Sequence, residues 1–262
     1  MGAQTTQSLA KARESLSGYS ATSELAASLF AAALGLSGSK ALRGALGDSS
    51  AEPQALQALA KGAFASLSTD AKALVGELVS LRWSSPLDLQ AALEELGIRA
   101  LAAVSGGSSD LVGELLAVSK LIHSDPEVEL AVGSKRASAT AKATLVAALV
   151  GGKVSLGAEA IVRHLVADPR GRRIGRMLMN AAEIVADQGG KGLAVVSVAK
   201  PLNAAQLGHI DDLVQKKYHR PHYIAQQIDD SVVGGARIRV GDDVIDGSVA
   251  TRLQDLRMKL AG

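Results

Sequence analysis

The residues that could give this chain a chemistry are few, and their spacing does not assemble a reactive centre. A phosphate-cradling loop needs a Gly, four intervening residues and then a Gly-Lys-Ser or Gly-Lys-Thr, so that backbone amides surround the anion and the hydroxyl reaches magnesium. The nearest approaches are Gly152-Lys153 and Gly190-Lys191. Ala147 and Val154 occupy the two diagnostic positions of the first, and Val185 and Gly192 those of the second. The five histidines are His123, His164, His209, His219 and His222. His219 and His222 lie three apart, but Pro221 breaks the helical turn that would pair their rings, and no carboxylate stands at a metal-ligand spacing from them. Ser248, in DGSVA, lacks the second Gly of a nucleophile elbow. The adjacent acids Asp211-Asp212, Asp229-Asp230 and Asp242-Asp243 point their side chains apart, which suits caps and turns rather than an acid and base pair. The chain has no Cys, which excludes disulfides, thiolate metal sites and cysteine nucleophiles. No catalytic, cofactor-binding or metal-binding residue is therefore expected.

Charge does not select a partner either. Lys and Arg number 28 against 26 Asp and Glu, and both signs are interspersed. The one dense basic run, Arg170, Arg172, Arg173 and Arg176, reads as a solvated helix start or a protein contact, and no nucleic acid is expected as a partner. The N-terminus, MGAQTTQSLAKARESLSGYS, lacks a charged start followed by an apolar stretch, and no window reaches the ~18 apolar residues of a membrane span. A soluble, cytoplasmic chain without direct membrane insertion is the expectation.

The elements point to a framework of helices. Hydrophobic residues make up 47% of the 262, with only one Trp, three Tyr and two Phe. Ala and Leu favour helices, and small side chains let helices approach closely. Apolar residues recur at helical spacing from the start to about residue 190, as in Leu25, Ala26, Leu29 and Ala32, or Leu111, Leu115, Val118 and Ile122. Near residue 193 the period changes. LAVVSVA reads as a buried strand, a helix spans about Asn203 to Tyr218, HYIAQQID alternates, and two alternating runs flank Gly241, Asp242 and Asp243 as a hairpin. Val249, Leu253, Leu256 and Leu260 stripe a last helix. The fold class is α+β, mainly α: an N-terminal helical bundle, then a small α/β domain with a hairpin and a terminal helix.

Sliding the chain by 86 positions places Leu25 on Leu111, Leu29 on Leu115, Gly47 on Gly133, Leu59 on Leu145 and Val75 on Ile161 without a gap. Two accounts stay open: a duplicated bundle, or the ease with which amphipathic helices match one another. The domains are expected at 1–95, an extra bundle; 96–190, a second bundle; and 191–262, the α/β unit.

Residues 228 to 241, IDDSVVGGARIRVG, continue into DDVIDGS and a Leu-striped segment. In order come a hydrophobic-acid start, Gly234 and Gly235, an alternating strand, Gly241, and the ending Ile245, Asp246, Gly247 and Ser248. This pattern resembles the signature of the ATP synthase delta subunit and its mitochondrial counterpart, the oligomycin-sensitivity-conferring protein. The resemblance covers roughly residues 100 to 262, and residues 1 to about 95 have no counterpart in the common pattern. The motif itself reads as mainly structural: the Gly pair permits backbone angles denied to other residues, and Asp246 or Ser248 could cap the last helix.

The resemblance implies a non-catalytic stator adaptor. It takes up N-terminal helices of alpha subunits on its helical domain and engages the peripheral stalk b subunit with its C-terminal domain, on the inner face of the bacterial cell membrane. Leu101, Val104, Ile161 and Leu165 are the expected groove residues for the head, and Leu253, Leu256 and Leu260 belong to the stalk-binding part. The alternative is a helical-repeat scaffold or regulatory interaction module unrelated to ATP synthase.

Overall fold

The computed structural model describes residues 2–106, 109–134 and 137–247. The chain divides into two compact units, residues 1–185 and 186–262. The first is helical: α1 (Ala3–Ser17), α2 (Ser23–Gly38), α3 (Lys40–Leu46), α4 (Pro53–Ala63), α5 (Thr69–Val79), α6 (Pro86–Val104), α7 (Ser109–His123), α8 (Pro126–Gly133), α9 (Ala139–Val150) and α10 (Leu156–Ala167). Helix α11 (Ile174–Gln188) runs across the division.

Helix starts fall where a side chain can accept from the unpaired first amides. Thr22, Ser39, Ser68, Ser85, Asp125, Ser138 and Ser155 each do so at the head of a helix. Among the described residues no single helix is long and apolar enough to cross a membrane; the apolar pair α2 and α3 is bent by 112°.

The helix bounds repeat. Shifted by 86 positions, α2 falls on 109–124, α3 on 126–132, α4 on 139–149, α5 on 155–165 and α6 on 172–190, within two residues at each end of α7 to α11. Matching apolar stripes are common among unrelated helices, but five consecutive helices with matching bounds are not. The same shift lays α1 on 89–103, inside α6. Helix α6 is thus the last helix of the first repeat and the first helix of the second, and it runs unbroken through residue 95.

That double membership explains the burial of α6. A helix with one neighbour buries a stripe, whereas one clasped from several sides is buried all round. Every residue from Ala92 to Ala102 is buried, including Glu94, Glu95 and Arg99. Such charges stay inside only when paired. Arg13 of α1 and Arg99 each donate from Nε to Glu95 Oε1 at 2.8 Å.

In the second unit β1 (Gly192–Val198), α12 (Ala204–Tyr218), β2 (His222–Ile228), β3 (Ala236–Val240) and β4 (Asp243–Asp246) form a sheet of order β2-β1-β3-β4. β1 and β2 are parallel, joined by α12; β3 runs antiparallel to β1 and pairs with β4 as a hairpin. Ala194, Val196, Val198 and Ile238 on one sheet face meet Ile210 and Val214 of α12. Each such Val or Ile contributes roughly 1.5–3 kcal/mol when fully buried. Helix α11 ends in a turn in which Gly190 takes φ +74°, Gly190 N–H donates to the Asp187 carbonyl and Lys191 N–H to that of Ala186. This mainly helical architecture with a C-terminal α/β part is the expected fold class. The terminal helix expected from Val249 lies outside the described residues.

Candidate functional site

Two regions carry the residues singled out above. The first is the stretch from Asp229 to Gly247. Asp229 accepts from the Ser231 amide and hydroxyl, and these hydrogen bonds hold its carboxyl below the usual range. Gly234 and Gly235 then take φ +77° and +78°, two successive left-handed residues that turn the chain into β3. Gly241 has φ +57° at the first position of the two-residue turn between β3 and β4. Ile245 pairs with Ile238 and packs against the α12 core, and Asp246 faces Arg237 at 3.4 Å. Gly247 N–H donates to the Ala236 carbonyl at 3.0 Å, and a side chain there would press on that oxygen at 3.3 Å. These residues shape the hairpin.

The hairpin is tied to α12 by a contact that the sequence hides. Asp243, read as a turn residue, accepts from Lys217 Nζ at 2.8 Å and from the Tyr218 hydroxyl at 2.6 Å. Its carboxyl is lowered by those two hydrogen bonds, and the Lys217 ammonium is raised by its bond to Asp243. The other paired positions are separate. His219 takes a left-handed φ of 54° past the end of α12, while the buried His222 ring lies against Gly192. Among the described residues no group of three or more His, Asp and Glu is placed to hold a metal ion. The expectations for Ser248, Leu253, Leu256 and Leu260 lie outside the described residues.

The second region is the seam between α6 and α10. Leu101, Ile161 and Leu165 are buried, whereas Val104 is 46% exposed. Along the same α6 stripe, at helical spacing, stand Gln90, Glu94 and Gly97. Gln90 donates to Asp168 at 2.8 Å. The Glu94 carboxylate, 6% exposed, accepts from Arg170 and twice from Arg172, at 2.6 and 2.9 Å. His164 Nε2 stands 3.4 Å away. Burial pushes the Glu94 carboxyl up, but His164, Arg172 and the charge of Arg170 outweigh it and hold the group at about 2. Two members of the basic run therefore turn inward, while Arg173 and Arg176 are exposed. Arg170 does so from a left-handed φ of 49°, just before Gly171 at 76°.

This cluster is the second repeat's version of a contact in the first. Ser8 of α1, 86 positions before Glu94, donates to the carbonyl of Arg82, 86 positions before Asp168. In each repeat the first helix grips the loop leading to the last. Sequence reasoning missed Glu94, Gln90 and Asp168 because each has its partner some 76 to 78 residues away. The signal that could have found them is a charge on the α6 stripe that also serves the neighbouring repeat.

Residues 99–260, more than half of the chain, match the family model described as ATP synthase delta (OSCP) subunit. The chain belongs to the ATP synthase delta (OSCP) subunit family. The family expected from IDDSVVGGARIRVG is thus the family found. Relatives match much or all of the chain's length. The ATP synthase subunit delta of Leifsonia xyli subsp. xyli is 41% identical over 264 residues, covering 100% of both chains. That of Beutenbergia cavernae is 33% identical over 243 residues, covering 91% of this chain and 90% of its own. That of Streptomyces griseus subsp. griseus is 36% identical over 192 residues, 72% of this chain and 71% of its own. The delta family model begins inside α6, where the second repeat begins, and the Leifsonia relative matches the preceding repeat too.

Proposed function

We propose that the chain is the non-catalytic stator subunit of an F-type ATP synthase, linking the peripheral stalk to the top of the catalytic head so that rotation drives ATP synthesis. The observation that carries this reading is the full-length match to a relative named ATP synthase subunit delta. An unrelated helical scaffold has no observation in its favour. The structure suits a load-bearing part: the charges buried on α6 are consumed in pairs within the helix and with α1 and the α10–α11 loop, and the left-handed glycines shape turns.

Its partners in this reading are N-terminal helices of alpha subunits, held by residues 96–190, and the b subunit of the stalk, held by residues 191–262. Helix-in-groove docking needs exposed apolar side chains. Of the four groove residues Val104 offers one, with Leu101, Ile161 and Leu165 in the core beneath. Leu253, Leu256 and Leu260 are assigned to the stalk. The place of the complex is the inner face of the bacterial cell membrane, with this subunit peripheral to it.

Cross-linking mass spectrometry of the assembled synthase tests the reading. Cross-links from 96–190 to alpha subunits and from 191–262 to the b subunit are expected, and deletion of 193–262 abolishes stalk binding. A chain that purifies free of head and stalk subunits refutes it.

A further inference from the structure

The α6–α10 seam already holds a helix. Phe30 of α2, 6% exposed, lies flat against the His164 ring of α10, with centroids 4.2 Å apart and planes at 11°. On α6 the same ring sits where Gly97 has no side chain, since a Cβ there would stand 2.5 Å from it. Gly97 is one turn before Leu101, and His164 lies between Ile161 and Leu165. The Phe30 ring therefore lies between α6 and α10, beside the residues that the sequence offers as a docking groove.

Three independent features fit α2 to this place. Phe30 is one of only two Phe in the chain. Gly97 is a helix-interior glycine, which costs roughly 1 kcal/mol relative to Ala and is retained where a close approach needs it. The Glu94 network fixes the α10–α11 loop beside the seam, with His164 held between the Phe30 ring and the carboxylate.

We infer that α2 of the first repeat is the resident helix of the α6–α10 seam, keyed by Phe30 between Gly97 and His164, and that partner helices are held outside it. The first repeat is then a built-in occupant that joins the two repeats into one body. Restricting docking to other faces, Val104 among them, rests on the stator reading; the occupancy of the seam does not.

Two measurements on the full chain separate these. In hydrogen exchange, Phe30→Ala accelerates the amides of α10 about tenfold or more relative to those of α4, which takes no part in the seam. Unchanged α10 exchange overturns the inference whatever the partner. Because the chain has no Cys, Phe30→Cys with His164→Cys can be bridged by a short bismaleimide, which holds α2 in place even where Phe30→Ala unfolds. A synthetic peptide of the alpha-subunit N-terminal segment then binds the bridged protein and the wild type within about twofold. A loss of tenfold or more on bridging means that the peptide enters the seam, and the inference falls. Binding to neither protein refutes the stator reading, while the exchange result still judges the seam.

Discussion

Glu94 of α6 accepts two hydrogen bonds from the Arg172 guanidinium, 78 residues further along the chain, at 2.6 and 2.9 Å. A planar fork matched to a carboxylate is the strongest form of such a pair. Here it ties the helix shared by both repeats to the loop that launches α11. Removing one partner of a buried pair strands the other's charge, at about 3–5 kcal/mol. Glu94→Gln, which leaves Arg170 and Arg172 facing a neutral amide, is expected to lower stability by about 3 kcal/mol in urea denaturation. A loss below about 1 kcal/mol would show that these guanidiniums are satisfied elsewhere.

The same carboxylate sets an acid limit. Its group sits at about 2 in the folded chain, held there by His164, Arg172 and Arg170, against an ordinary value of 4.5. A depressed folded value means that the stabilisation is complete above pH ~4.5 and fades as pH falls toward 2, because only the unfolded chain binds the proton readily in that window. The decline is worth on the order of 3 kcal/mol, from about 1.4 per unit. Urea midpoints taken from pH 6 down to pH 2.5 should fall more steeply in the wild type than in Glu94→Gln. Parallel curves would remove Glu94 from the account of acid unfolding.

What the chain discloses before folding follows from which signals are local. Helical stripes such as Leu25, Ala26, Leu29 and Ala32, the change of period at Leu193 and the turn at Gly241 are all set by residues within a few positions of one another. The repeat was visible as an offset, and the helix bounds follow the same offset. The buried charges of α6 were not legible, because Glu and Arg are almost never buried unless paired and their partners lie in distant loops. Nor was the cover of the α6–α10 seam: an apolar stripe such as Leu101, Ile161 and Leu165 says that something covers it, and only the fold brings the Phe30 ring against Gly97 and His164. Asp243 looked like a plain turn acid for the same reason, its partners Lys217 and Tyr218 lying 25 to 26 residues away.

The hairpin motif makes a prediction about backbone rather than contact. Gly241 has a positive φ with open space around it, so a side chain there meets a conformational cost and no clash. For a β-branched residue that cost is about 1–2 kcal/mol, while Asn visits the left-handed region more freely. Thermal denaturation should rank Gly241→Asn well above Gly241→Val. Gly208 on α12, also in open space but in an ordinary helical conformation, supplies the opposite sign. Gly208→Ala is expected to gain about 0.5–1 kcal/mol. Equal effects of Val at 241 and Ala at 208 would contradict the backbone argument.

A substitution at Gly97 should change sign with its neighbour. In the wild type a Cβ at this position stands 2.5 and 2.6 Å from Phe30 ring atoms, so the ring or the helix must shift. Overpacking of that kind costs about 1–3 kcal/mol, which exceeds the roughly 1 kcal/mol that Ala gains over Gly inside a helix. Gly97→Ala is therefore expected to destabilise. In a Phe30→Ala background, itself weaker by about 3–5 kcal/mol, the ring is gone and only the helical gain remains, so the same change stabilises by up to about 1 kcal/mol. Urea denaturation of the four proteins closes the cycle. Two residues in contact couple by more than about 0.5 kcal/mol, whereas independent ones add. Additive effects would place Phe30 away from Gly97 and leave the seam without its key.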